Sequence, residues 1–248
     1  MNEPRVSPRV RLHVDHPLGA AQTVPLERDQ AHYLFGVMRM GPGDAVALFN
    51  GRDGEWRAEV AEAGKRGGAL ACVEQTAPQA MPPDLWLLFA PVKKTRTDFI
   101  VEKAVELGVA RLLPVQTGFT NSERIRRDRL QAHAVEAAEQ CGATYVPEVE
   151  DLGRLDRVLS ARLAGRRLLF CDEAMAGEAP ALERLRAEAK GEPWAVLIGP
   201  EGGFSESERR MLRGRDGAVA VALGPRILRA DTAAVAAITL WQSVLGDW

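Results

Sequence analysis

The segment 77–83, APQAMPP, constrains the fold most, because three prolines in seven residues can continue neither a helix nor a strand. The chain changes rhythm across it. Before it, RLHV, QTVPL, AVALF, EWRAEV and ALACVEQ read as short strands, and GPGD, NGRDG and AGKRGG supply the Gly, Asp and Asn that turns require. One helical interruption, Glu27 to Met40, puts Ala31, Leu34, Phe35 and Met38 on a single face. So many short strands in so short a stretch predict a small barrel over 1–76, with 77–83 as linker.

From Asp84 to the end at Trp248 the rhythm alternates strand and helix. LWLLFAPV, ARLLPV, RRLLFCD, PWAVLIG and AVAVALG read as strands, with amphipathic helices between most of them. Helices are expected near Thr97 to Leu107 and Arg129 to Cys141, each stopped by a glycine, Gly108 and Gly142. Ser205 and Glu208 form a capping box at the start of another. The last, Asp231 to Leu245, is apolar enough to be largely buried. Strands in this order with crossover helices give an α/β domain built on a mostly parallel sheet.

With 46% hydrophobic and 27% charged side chains, the chain has the composition of a folded globular protein. Its formal charge of −2 provides no overall positive field, so any nucleic-acid contact has to be local. Residues 93–129 supply one: nine basic side chains against five acidic ones. Cys72, Cys141 and Cys171 contain no CxxC, which argues against a disulfide framework or zinc ribbon and fits a reducing cytoplasm. Cys141 is expected to be a small buried side chain rather than a nucleophile. His13, His16, His32 and His133 are scattered, so no metal is expected. The N-terminus has no apolar run of the kind a secretory signal needs.

In an open parallel sheet, ligands bind beyond the carboxyl ends of the strands. Two segments leaving the last two strands stand out there: IGPEGGFSESE, where Gly199, Gly202 and Gly203 permit close approach of a ligand, and LGPRILRADTAA, where Gly224 and Pro225 break the strand. Neither is a P-loop or a dinucleotide fingerprint. Apolar Ile227 and Leu228 between Arg226 and Arg229 suit a flat heteroaromatic ligand beside a charged reaction centre.

The combination of KAVELGV, EAAEQCG, IGPEGGFS and LGPRILRADTA, together with RMGPGD in the first half, resembles the RsmE family of ribosomal RNA small-subunit methyltransferases, within the SPOUT superfamily. The resemblance runs through the whole chain. It implies a PUA-like N-terminal β-barrel that binds RNA, a C-terminal α/β domain with a deep trefoil knot, and a homodimer. It also implies transfer of a methyl group from S-adenosyl-L-methionine to N3 of one uridine in 16S rRNA. The competing readings are a SPOUT methyltransferase acting on another RNA or on a ribose 2′-hydroxyl, and a non-catalytic RNA-binding assembly factor. The intact glycine loops argue against the last.

Carried onto this chain, the family's cofactor pocket falls on Gly199, Pro200, Gly202 and Gly203 of the first loop. From the second it takes Leu223, Gly224, Ile227, Leu228, Arg229, Thr232 and Ala233. Uracil N3 bears a proton at neutral pH, so the reaction needs a base or a charge that stabilises the uracil anion. Arg229 is the candidate for charge stabilisation; as a base it is excluded, because it stays protonated. Glu201 is the nearest carboxylate in sequence and the candidate proton acceptor. RNA phosphates are expected on Lys93, Lys94, Arg96, Arg124, Arg126 and Arg127, with Arg5, Arg9, Arg11 and Arg39 in the barrel as weaker candidates. Asn121 and Ala143 stand where many relatives carry Arg, and Asp231 replaces a Glu.

Overall fold

The computed structural model describes residues 8–64, 66–122, 124–177 and 181–248, so Arg5 lies outside the described residues. The chain divides into two compact units, Met1–Met81 with Ala138–Val146 and Pro82–Ala137 with Pro147–Trp248. The first break falls inside APQAMPP. The segment 138–146 departs from a purely linear division of the chain.

In the first unit, β1 (Arg11–His13), β2 (Thr23–Pro25), β3 (Ala45–Phe49), β4 (Glu55–Gly64) and β5 (Gly67–Ala77) form one five-stranded sheet in the order β1-β3-β4-β5-β2. Its inward side chains, among them Leu12, Val24, Val46, Leu48 and Leu70, make a core of their own. The expected helix between β2 and β3 is only partly regular: α1 (Arg28–Ala31) passes into a π-helical turn, His32–Val37, in which the Met38 N–H donates to the Tyr33 carbonyl at 2.9 Å. The wider turn shifts the side chains that follow out of phase. Ala31 and Leu34 are therefore buried as expected, whereas Met38 is 40% exposed.

The second unit carries β6 (Leu85–Phe89), α2 (Lys94–Glu106), β7 (Arg111–Gln116), α3 (Arg127–Cys141, whose residues from Ala138 on belong to the first unit), β8 (Glu148–Val149), β9 (Gly153–Arg154) and α4 (Leu155–Arg162). After these come β10 (Arg167–Cys171), α5 (Ala181–Arg186), β11 (Trp194–Ile198), α6 (Glu206–Arg213), β12 (Ala218–Val221) and α7 (Ala230–Leu245). The strands pair in the order β12-β10-β11-β6-β7-β8, with β9 also on β7, and every pairing is parallel. Leu87 and Leu88 of β6 and all of β11 are buried, as continuous apolar strands covered on both faces must be. The capping box at α6 is present, with Ser205 and Glu208 serving each other's backbone. Gly108 and Gly142 end α2 and α3 with positive φ. Cys141 corrects an expectation: it lies at the exposed end of α3 and is not buried. Among the described residues, no helix is long and apolar enough to cross a membrane.

Candidate active site

The strand order sets the carboxyl ends of β12, β10 and β11 side by side. A cavity of about 430 Å3 opens there.

The loop after β11 forms one wall. The Gly203 N–H donates to the Pro200 carbonyl at 2.9 Å, closing a tight turn with Glu201 and Gly202 at its tip. Phe204, only 1% exposed, anchors the turn by packing edge-on against Phe170 of β10, with ring centroids 5.0 Å apart. Edge-to-face pairing of this kind contributes roughly 0.5–1.5 kcal/mol beyond area burial. Gly203 has φ +69, so the backbone requires glycine, and a Cβ there would displace the Glu173 carboxylate.

Leu223 to Ala230 form the second wall, irregular until α7 begins. Leu223, Gly224, Ile227, Leu228, Arg229 and Ala233 all line the cavity, as do Gly199, Pro200 and Gly203. Two expected cofactor residues lie outside it. Gly202 faces Phe119, and Thr232 is exposed, its N–H donating to Asp231 at 2.8 Å. Arg229 is the N-cap of α7, but its side chain makes no cap. A cation at the positive end of a helix is electrostatically unfavourable. Among the described residues its guanidinium has no partner, and it faces the cavity.

The third wall, Cys171 to Glu173 with Ala176, was not singled out in the sequence. The Asp172 side chain is fully buried and accepts from Ala174 N (3.1 Å), Arg209 Nε (3.2 Å) and Arg213 Nη2 (2.7 Å). Arg209 also pairs with Glu173. Two carboxylates directly after an apolar strand, DE after LLFC, were the available signal. Burial pushes the Cys171 thiol up to about 12, so it stays protonated and inert.

The basic residues expected at RNA fall into three groups. Lys93, Lys94 and Arg9 are exposed with no side-chain partner among the described residues, and Lys93 also lines the cavity. Arg124 is exposed, while Arg126 pairs with Asp128 at the surface (2.7 Å). Arg96, Arg127 and Arg11 have partners that occupy them. Arg96 Nη1 donates to Glu201 Oε1 at 2.6 Å, and Arg96 and Glu201 both line the cavity. Arg127 Nε donates to the Val149 carbonyl at 2.6 Å and so holds β8.

For Arg11 the structure corrects the sequence reading. It donates to Glu55 (2.7 Å) and to the carbonyls of Ala138 (2.6 Å), Glu139 (3.0 Å) and Ala143 (3.0 Å), and it lies over the Phe49 ring. It caps the carboxyl end of α3, where unsatisfied carbonyls and the helix dipole favour a cation. Four of the five N–H donors of this fork are taken up inside the protein.

The chain matches the family model described as an RNA methyltransferase domain over residues 79–242, and that of an RNA methyltransferase PUA domain over 26–69. It is 32% identical over 253 residues to ribosomal RNA small subunit methyltransferase E of Mycobacterium bovis, covering 96% of this chain and 92% of the relative. To the protein of that name from Rickettsia conorii it is 28% identical, over 92% of this chain and 93% of the other. Among solved structures, ribosomal RNA small subunit methyltransferase E from Neisseria gonorrhoeae bound to S-adenosyl methionine superposes with a TM-score of 0.85 at 27% identity, covering 96% and 99% of the two chains. A putative methyltransferase from Legionella pneumophila in complex with the same cofactor gives 0.85 at 27% identity, covering 98% and 100%. With a family model spanning most of its length and a cavity walled by the two glycine loops, this chain belongs to the RNA methyltransferase family, in its ribosomal RNA small subunit methyltransferase E branch.

Proposed function

We propose that the chain transfers the methyl group of S-adenosylmethionine to N3 of one uridine in 16S rRNA of the small ribosomal subunit, working as a cytoplasmic homodimer. The supporting observation is the convergence of three loops on one cavity of about 430 Å3, within the range of roughly 300–1,000 Å3 usual for small-molecule sites. The residues suit the cofactor. Ile198, Leu223 and Leu228 offer apolar walls to an adenine, and Glu173 and Glu201, partly exposed although each pairs with an arginine, bring negative charge to the cavity edge for a sulfonium and an ammonium. When bound, S-adenosylmethionine supplies an electrophilic methyl group on a cationic sulfur.

The protein's part is to position the acceptor and manage its proton. Arg229, unpaired beside the cavity at the positive end of α7, stabilises the negative charge that develops on a uracil oxygen as the N3 proton leaves. Glu201, at the tip of its turn and held by Arg96, is the carboxylate placed to accept that proton. Lys93, Lys94, Arg9, Arg124 and Arg126 take RNA phosphates. In this reading residues 1–76 hold RNA, 84–248 carry the chemistry, and the loops around the cavity belong to a deep trefoil knot.

The test is to incubate the protein with methyl-labelled cofactor and small ribosomal subunits and identify the product nucleoside by mass spectrometry. 3-Methyluridine at one position is expected. Label on a ribose, or on another base, would overturn the assignment.

A further inference from the structure

A second cavity, of about 290 Å3, adjoins the first; Pro91, Phe119 and Asn121 line it together with Lys93, Pro200 and Glu201, which line both. Phe119 is conspicuous there: a large apolar ring left 50% exposed. Its position is nevertheless tightly set. The Gly118 N–H donates to Glu208 Oε1 at 2.8 Å, and the Thr117 N–H to Thr120 Oγ1 at 2.9 Å, so the turn after β7 is fixed to the capped start of α6. On its other side Phe119 lies against Gly202, where an added Cβ would come within 3.2 Å of the Phe119 Cβ. Gly202 thus gives this ring room to pack against the turn.

We infer that this cavity seats the acceptor base, with the uracil ring stacked on Phe119 and a uracil carbonyl accepting from the Asn121 amide. The inference rests on the methyl-transfer reading above. An acceptor atom has to come within about 3–3.5 Å of the methyl group, so the base must occupy space continuous with the cofactor cavity. The cavity at Phe119 shares three lining residues with it. The cavities bounded by Gln116 and Arg154, and by Arg166 and Arg215, share none. A base taken out of its stack also needs a π-face to replace the neighbours it lost, and Phe119 supplies one. Asn121 brings a donor and an acceptor to the edge of that base, which a phosphate-binding Arg at this position would not. Lys93 and Glu201 then lie at the junction between base and cofactor.

The experiment measures initial methylation rates of the full chain on small subunits, alongside calorimetric binding of S-adenosylmethionine. Phe119→Ala is expected to lower kcat/KM for the rRNA roughly tenfold or more, with cofactor affinity unchanged. Phe119→Trp and Phe119→Tyr should restore the rate, and Phe119→Leu, apolar but without a π-face, should not. Gly202→Ala, whose added Cβ meets Phe119 first, should lower the rate in the same direction and leave cofactor affinity intact. Phe119→Ala at the wild-type rate overturns the seat while leaving the methyltransferase reading standing, and so does a Leu variant as active as the Trp variant. A wild-type protein that binds the cofactor but methylates no rRNA overturns the reading of function, and the seat with it.

Discussion

Arg96 Nη1 donates to Glu201 Oε1 across 2.6 Å, joining the first turn of α2 to the tip of the loop after β11. Arg96 Nε also lies 3.6 Å from Asp231 in the first turn of α7. One guanidinium therefore spans three segments at the cavity. The groups are partly exposed, so each pair stabilises the fold by only about 0.2–1 kcal/mol; the consequence is one of position. Arg96→Ala should leave the denaturation midpoint nearly unchanged and lower turnover about tenfold or more. Arg96→Lys should recover part of it, since an ammonium cannot fork to two carboxylates. Turnover at the wild-type level in Arg96→Ala would show that Glu201 needs no such tether.

Arg229 and Lys94 are both exposed cations without partners among the described residues, but only Arg229 lines the cavity. Arg229→Ala is expected to lower turnover about 10²–10³-fold while changing RNA affinity little. Lys94→Ala should do the reverse, weakening RNA binding and reducing its salt slope by about one. Binding titrations at several salt concentrations, run beside single-turnover assays, separate the two.

Gly203→Ala meets two obstacles at once, φ +69 and a contact with Glu173 Oε1. The backbone term alone costs about 1–3 kcal/mol. Since the displaced carboxylate lines the cavity, cofactor affinity should fall at least tenfold. Calorimetry showing wild-type affinity would mean that Glu173 can swing away without consequence.

Arg11→Ala removes the cation that satisfies three carbonyls at the end of α3 and pairs with Glu55. Hydrogen bonds to a charged group contribute about 1.5–3 kcal/mol each, and they are not additive, so a loss of about 2–4 kcal/mol in denaturant unfolding is expected. The salt dependence of RNA binding should not change. A flattened salt slope with stability intact would return Arg11 to the phosphate contacts.

Thiol reactivity should separate the cysteines. Burial raises both Cys72 and Cys171, the latter to about 12, and only Cys141 is exposed. One thiol should react promptly with a chromogenic disulfide in the native protein and three after unfolding. Fast reaction of a second thiol in the native state would mean that the wall at Cys171 opens.

The strands and helices of the second unit were legible because parallel strands buried on both faces are written as unbroken apolar runs, such as LWLLF and WAVLI. The two glycine loops were legible for the same reason: they interrupt those runs. Asp172 and Glu173 were not, because nothing in the sequence says that β10 lies between β11 and β12. Met38 was misassigned because a π-helical turn alters the period on which the helical face was counted. Arg11 and Arg96 looked like open cations, since sequence shows charge but not the carbonyls and carboxylates that the fold brings to it.

The order β12-β10-β11 has a temporal corollary. Leu223–Ala233 follow every strand of this sheet in the chain, yet they supply one side of a cavity whose other sides come from β10 and β11. A ribosome emitting this protein releases the first unit and the strands of the sheet before this cavity can close. Under the proposed function, ligand affinity is thus acquired late, and cofactor binding reports that the second unit has finished folding.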